Sequence, residues 1–240
     1  MNWSPIPKSF RWILRQGIFG FVRSLIEEFI SYSKSDSSQF GEARFMSELL
    51  GEEVGVFVDI GSGRPISGSN TFHLYKRGWN GILVDPIPNN MFLSKVFRPK
   101  DKFFQGLIGH NTRHEFFYFE PYAYSTTSQK RAQKVLETKG DAVRLVSILD
   151  LPGHTMKELL LKFNVTNIDF LNIDVEGIEL QVLQSNDWSI HRPKVICAEI
   201  LELEHTRLFD YLHGLGYKSI GSRGPSYFFQ LGKAGGGGGI

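Results

Sequence analysis

The chain has 240 residues, a length that suits one domain with additions and that folds without disulfide or metal staples. Its 41% apolar and 22% charged residues exclude collagen-like, disordered and multi-span membrane classes. A net charge of +2 gives no reason to expect nucleic acid as a partner, and the single cysteine, Cys197, excludes a disulfide framework or a multi-cysteine zinc site.

The first notable segment is Phe10 to Ile30, rich in Phe, Trp, Ile and Leu. Arg11, Arg15 and Arg23 interrupt it, so no charge-free run reaches the ~20 residues a membrane span needs. It also lacks a small-residue cleavage site, so it does not read as a signal peptide. On a helix, Phe10, Leu14, Phe21, Leu25 and Phe29 form one broad stripe, with Val22 and Ile26 beside it. Three readings stay open: a helix packed on the domain, a membrane-surface helix with its arginines toward lipid phosphates, and a substrate lid or dimer contact. Ser31 to Ser38 reads as a linker and Phe40–Leu50 as a second helix ending at Gly51. Residues 1–51 thus form an N-terminal unit, 52–232 the main domain and 233–240 a disordered glycine-rich tail.

Within the main domain short apolar runs alternate with helical patterns. Strands are expected at Val54–Ile60, Gly81–Val84, Lys102–Ile108, His114–Phe119, Ala142–Leu149, Ile168–Ile173 and Lys194–Ile200. Helices are expected at Asn70–Arg77, Asn89–Phe97, Ser128–Glu137, Thr155–Phe163, around Leu180–Leu183 and at Glu204–Leu215. Lys218–Gly221 and Tyr227–Leu231 close as a hairpin. This alternation predicts an α/β fold, doubly wound and mostly parallel, with an antiparallel terminal strand.

The strongest local signal is Val56-Phe57-Val58-Asp59-Ile60-Gly61-Ser62-Gly63, a buried strand running into Asp-x-Gly-x-Gly. Glycines there allow a tight turn and a close ligand approach. Asp85 ends the next strand, 22 residues beyond Gly63, where a carboxylate can accept hydrogen bonds from a ribose diol. The third glycine of a dinucleotide fingerprint is missing, because Ile66 stands there and Pro65 stiffens the loop. A ribose-bearing ligand without a pyrophosphate fits better, and S-adenosylmethionine is such a ligand. Asp59 agrees, since an acid beside the loop repels pyrophosphate and tolerates a cationic amino-acid end.

A second signal is Phe170-Leu171-Asn172-Ile173-Asp174-Val175-Glu176-Gly177. It leaves two acids at a strand's C-terminal end, which faces the ligand crevice in open parallel sheets. Glu199 ends the next strand on the same rim. Asp174, Glu176 and Glu199 are therefore the candidate catalytic residues, with Asp174 the leading base and Glu176 the second. Asp174 and Glu176 also suit a divalent metal. The hydroxyl-rich stretch Tyr124-Ser125-Thr126 suits a sugar acceptor, or equally caps the helix after it. His110 and His205 both follow strand C-termini and are rival acceptor-side groups.

These residues resemble the FkbM-type S-adenosylmethionine-dependent methyltransferases. The resemblance rests on Val58-Asp59-Ile60-Gly61-Ser62-Gly63, Ser69-Asn70-Thr71, Leu74-Tyr75-Lys76-Arg77-Gly78-Trp79 and Val84-Asp85-Pro86. It continues through Phe97-Arg98-Pro99, Gly109, the 170–177 block, Ser185-Asn186-Asp187-Trp188 and Arg192-Pro193-Lys194. It covers about residues 54–231 and implies a class I methyltransferase sheet and methyl transfer to oxygen, often a sugar hydroxyl of a glycan, glycolipid or natural product. By position it implies cofactor contacts from Asp59, Gly61, Ser62, Gly63, Asp85, Pro86, Leu107, Ile108 and Asp174. The family's general Gly-Ala-Asn-x-Gly loop is replaced here by Gly63-Arg64-Pro65 and Ser69-Asn70-Thr71, which brings Ser69, Asn70 and Thr71 into consideration. A cytoplasmic location follows, with membrane association through residues 10–30 left open. The competing functions are a nicotinamide-dependent oxidoreductase, which lacks a Tyr-x-x-x-Lys pair, and a silent domain binding cofactor or a membrane partner.

Overall fold

The computed structural model describes residues 22–32, 38–200 and 205–232. The expected helix over 10–21 and the glycine tail 233–240 lie outside the described residues. The helical segment 22–32 is α1. It is followed by α2 (Glu42–Leu50), β1 (Val56–Ile60), α3 (Phe72–Lys76), β2 (Asn80–Asp85), α4 (Pro88–Phe97), β3 (Lys102–Gln105) and β4 (Leu107–Ile108). Then come β5 (Arg113–Glu120), α5 (Gln129–Lys139), β6 (Arg144–His154), α6 (Met156–Lys162) and β7 (Phe170–Ile173). The chain continues with α7 (Glu179–Gln184), β8 (Val195–Glu199), α8 (His205–Gly214), β9 (Tyr217–Arg223) and β10 (Ser226–Leu231).

Seven strands form one sheet in the order β3-β2-β1-β7-β8-β10-β9. The pairings β2–β3, β1–β2, β1–β7 and β7–β8 are parallel, while β10 runs antiparallel to both β8 and β9. The fold is therefore α/β with a mixed sheet. All four residues of β7 are buried, as are the last four of β1 and the first four of β8. Continuous apolar runs are what a strand covered on both faces requires. Alternate positions serve opposite faces. Val58, Ile60 and Leu171 join Met156, Leu159, Val182 and Leu208 on one side. Phe57, Leu83, Phe170 and Cys197 join Met46, Leu74 and Met91 on the other.

One expectation is corrected. The third strand, expected over Lys102–Ile108, divides at Gly106, whose amide donates to Asp85 O (3.3 Å). Leu107 and Ile108 then leave the main sheet and pair with Gly153 and His154 of β6. The strand expected at His114–Phe119 is present as β5, which lies at the edge of a second, three-stranded sheet β4-β6-β5 and pairs antiparallel with β6.

The first segment also packs in an unexpected way. Ser24, Glu28 and Ser31 are the buried residues of α1, while Val22, Ile26 and Phe29 are exposed. Over the described residues the polar side of the helix faces the protein, and Phe29 of the expected packing stripe faces outward.

Under the glycine loop lies a buried polar network. The Arg98 guanidinium is fully buried, pairs with Asp101 (2.7 Å), and donates to Ser69 Oγ (3.2 Å) and Thr71 Oγ1 (3.0 Å). It also lies over the rings of Phe57 and Tyr75, at 5.2 and 5.3 Å. Thr71 Oγ1 donates to Asp59 Oδ2 (2.5 Å), and Asn172 Nδ2 to Asp59 Oδ1 (2.8 Å). Removing one partner of such a pair strands a buried charge. Arg98→Ala should therefore lower unfolding stability by about 3–5 kcal/mol, as measured by urea denaturation.

Candidate active site

The site begins where β1 stops. Gly61 (φ +82°) and Ser62 turn back, and both amides donate to Val84 O, at 2.9 and 3.0 Å. Asp174 N donates to Ile60 O (2.9 Å), so the end of β7 lies directly against the turn. A Cβ on Gly61 would sit 1.7 Å from the Asp174 carbonyl oxygen, and only glycine fits. Gly63 N donates to Asp85 Oδ2 (3.1 Å). Asp85 Oδ1 accepts from Ile87 N (2.7 Å) and Asn90 Nδ2 (3.2 Å). Burial nonetheless pushes the Asp85 carboxyl up to about 7.

Above this rim opens a cavity of about 440 Å³, within the roughly 300–1,000 Å³ of small-molecule sites. Gly61, Ser62, Gly63, Asp85 and Pro86 line one side, and Leu107 and Ile108 supply an apolar wall. Asp174, Glu176 and Glu199 also line it, together with Tyr122, Tyr124, Ser125, Thr127, Arg131 and Lys139. The three acids each place one carboxylate oxygen within 4.8 Å of the others. Burial first, then the nearby Glu199 carboxylate, holds Asp174 well above the usual carboxylate range. Burial and Glu199 also push Glu176 up to about 7, against the opposing pull of Arg131.

Glu176 is held by several contacts. Its backbone is left-handed (φ 58°), a strained state for a side-chain-bearing residue. Arg131 Nε and Nη2 both donate to its Oε2, at 3.1 and 2.8 Å, and Thr126 Oγ1 donates to its carbonyl (2.7 Å). Glu179 braces the same loop, accepting from Val175 N (3.2 Å) and Gly177 N (3.0 Å) through Oε1. Burial pushes Glu179 up to about 7 as well.

Several anticipated residues lie elsewhere. Asp59, Ser69, Asn70 and Thr71 do not line the cavity. They belong to the Arg98 network beneath it, where Asn70 Nδ2 donates to Asn172 Oδ1 (3.2 Å). Thr126 is buried and supports Glu176 from behind. His110 sits on an exposed turn after β4, with its carbonyl 3.1 Å from His114 Nε2. His205 stacks on Phe209 (4.2 Å between centroids) and meets Tyr227 edge-on (4.9 Å). Neither lines the cavity.

The structure also adds groups that the motifs did not mark. Arg64 leans over the Tyr122 ring (5.5 Å) and pairs with Glu27 and Glu28 of α1. Glu28, fully buried, accepts from Ile66 N (2.9 Å) and Ser67 N (3.2 Å). Arg131 lies in a plain polar helix, and only the Ser128 cap three residues earlier hinted at its place.

The donor set suits two absent groups. Ser62 Oγ, Thr127 Oγ1 and Glu199 Oε2 are buried without a hydrogen-bond partner among the described residues, so each can bond to a ligand or metal. Three carboxylate oxygens are hard donors of the kind magnesium, manganese and calcium prefer.

Residues 59–219 match the model of the methyltransferase FkbM domain. A search of curated proteins found no match. Among solved structures, the chain is similar to a crystal structure of a Pyrococcus horikoshii protein provisionally assigned as an RNA methyltransferase. The identity is 12% and the TM-score 0.42, over 80% of this chain and 83% of that one.

The acid cluster makes stability pH-dependent. A carboxyl whose folded pKa is raised binds its proton more tightly folded than unfolded, so its contribution is complete below about pH 4 and is lost as pH rises toward 7. The melting temperature of the ligand-free protein should fall between pH 5 and 8, and Asp174→Asn should flatten that fall. A melting temperature that rises with pH over this window would contradict the assignment.

Proposed function

Because the chain belongs to the FkbM methyltransferase family, we propose that it is an S-adenosylmethionine-dependent O-methyltransferase. Its proposed acceptor is a hydroxyl of a sugar in a glycan, glycolipid or natural product. The observation that supports this most is the abutment of three carboxylates and a glycine turn in one cavity. The strand order, with β10 inserted antiparallel between β8 and β9, supports reading the main sheet as the doubly wound class I methyltransferase sheet, with residues 52–232 as the catalytic domain.

When bound, S-adenosylmethionine supplies a methyl group on a cationic sulfur. In this reading the backbone of Gly61–Gly63 and the free hydroxyl of Ser62 hold its amino-acid end. Asp85 would accept from the ribose diol, with Pro86 beside it, and Leu107 and Ile108 would offer the adenine an apolar wall. The acids favour the positive charge there. Transfer then needs an acceptor hydroxyl held in line and relieved of its proton. Alignment can lower such barriers by about 7–11 kcal/mol in the best cases, and a positioned base adds roughly 10²–10⁴-fold. Asp174 takes the proton, and Glu176, fixed by Arg131, orients the hydroxyl. Tyr124, Ser125 and Thr127 in the cavity lining offer an aromatic face and hydroxyls suited to a sugar ring.

The bare Glu199 Oε2 favours a second reading of the same cluster, in which Asp174, Glu176 and Glu199 hold a divalent cation that orients the acceptor oxygen. Transfer of a labelled methyl group to glycan extracts, assayed with and without chelator, separates the two. A carboxylate base acting alone keeps its rate in chelator, whereas a cation makes the rate collapse and return with magnesium or manganese.

Asp174→Asn should leave S-adenosylmethionine affinity within about threefold and lower transfer by at least ~10²-fold. Normal turnover by this variant removes Asp174 from the chemistry. Tight NAD binding without S-adenosylmethionine binding would restore the oxidoreductase alternative.

A further inference from the structure

The cavity lining includes a group of residues with no part in the steps above: Gln39 and Phe40, just ahead of α2, with Ser67, Gly68 and Pro225. Phe40 is 51% exposed, although it is a large apolar residue. It is nonetheless firmly seated. A Cβ on Gly224 (φ +55°) would lie 2.6 Å from Cγ of its ring and 2.8 and 2.9 Å from the two Cδ atoms. Near-equal distances to these three atoms place Gly224 over a face of the ring, so that face is covered and any side chain at 224 would displace it. The Phe40 amide donates to Glu42 Oε2 (2.7 Å), and Glu42, itself buried, accepts from Ser226 Oγ through Oε1 (3.2 Å).

That anchorage ties Phe40 to the acids. Ser226 pairs with Glu199 across β8 and β10, and Ile200 N donates to Pro225 O (2.9 Å). Glu199 carries the bare Oε2 in the same cavity. Strand pairing and one buried carboxylate therefore fix the separation between the ring and the acid cluster. Next to Phe40 in the chain, the exposed Gln39 side chain lies over Gly68, where a Cβ would approach its Nε2 to 3.4 Å. A flat apolar face with an amide close by is complementary to a sugar ring. The C–H face of the sugar covers the aromatic face, and its hydroxyls bond to an amide that both donates and accepts. The adenine, the other flat group in the methyl-transfer reading, has its own apolar wall in Leu107 and Ile108.

We propose that Phe40 and Gln39 form the binding subsite for the acceptor's sugar ring, with that ring stacked on the open face of Phe40. This subsite rests on the methyl-transfer reading, which brings a sugar acceptor into the cavity, and adds where the acceptor sits. Both residues precede the 59–219 family match, so acceptor choice depends on the N-terminal unit as well as on the shared domain.

The test is binding of the fluorescently labelled full chain to an array of immobilised neutral and acidic glycans, with S-adenosylhomocysteine present, alongside calorimetry of S-adenosylhomocysteine alone. The unaltered chain should bind a subset of the glycans. Phe40→Ala and Phe40→Leu should each weaken that binding by about tenfold or more, whereas Phe40→Tyr, which restores the flat face, should keep it within about threefold. Gln39→Ala should weaken it by about fivefold, the worth of one hydrogen bond. Cofactor affinity and melting temperature should match the unaltered chain throughout. If Phe40→Ala unfolds, Phe40→Leu serves in its place, since it keeps an apolar contact with Gly224 and removes only the flat face. Absence of glycan binding by the unaltered chain overturns the proposal, as does undiminished binding by Phe40→Leu. Loss of cofactor affinity equal to the loss of glycan binding also overturns it, since Phe40 then serves the cofactor or the fold. Transfer of a labelled methyl group to the bound glycans separates this subsite from the reading it rests on. Glycan binding that depends on Phe40, without any transfer by the unaltered chain, leaves the sugar subsite standing and removes the methyl-transfer reading. Transfer that Phe40→Leu performs undiminished at low glycan density keeps that reading and removes the subsite.

Discussion

Two adjacent parallel strands end at the same rim, and the site depends on how closely they do so. The Ile60 carbonyl accepts from Asp174 N, and the next residue, Gly61, has no room for even a methyl group beside the Asp174 carbonyl. The turn that offers backbone to a ligand and the strand end that carries the first acid are therefore one object. A substitution at either place moves both. Sheet pairing, and not a flexible loop, fixes the distance between the glycine turn and the acids, which is the rigidity that aligning two reactants would demand.

Around that contact the chain concentrates carboxylates against their own electrostatics. Asp85, Asp174, Glu176 and Glu179 all have raised pKa values with burial as the leading cause. In the ligand-free chain this crowding is destabilising at neutral pH, and a cationic group in the cavity relieves it. Arg131 offsets part of it for Glu176 alone. Glu28 extends the pattern outward, as a buried acid whose oxygen accepts from the backbone beside the glycine turn. Strain and unmet charge of this kind collect where a fold has been shaped for a ligand.

Much of this was legible in the sequence because it is local. The apolar runs ending at Ile60, Asp85 and Ile173, and the acids just past them, follow from strands buried on both faces and opening at one edge. Contacts remote in sequence were not legible. Thr71, Ser69 and Asp59 carry polar side chains beside the glycine loop and read as ligand contacts. Ser69 and Thr71 turn inward because Arg98, nearly thirty residues away, needs acceptors in the core, and Asp59 in turn accepts from Thr71. Arg131 was silent because a guanidinium on a polar helix looks like ordinary solvated surface until the chain brings it 45 residues back to Glu176. The split at Gly106 was hidden because Leu107 and Ile108 are apolar in either sheet. Which side of α1 faces the protein was not legible because periodicity identifies a stripe and does not say which side of the helix is occupied.

The central claim is that the acid cluster beside Gly61 recognises a cationic ligand centre. The direct measurement is the ratio of S-adenosylmethionine affinity to S-adenosylhomocysteine affinity, by calorimetry from pH 5.5 to 8.5. The two ligands differ by a methyl group and one positive charge at sulfur. As Glu176 ionises near pH 7, the ratio should climb in favour of the charged ligand, with protons released on binding. A ratio that stays flat across this range, or that falls, would mean the carboxylates do not face the sulfur.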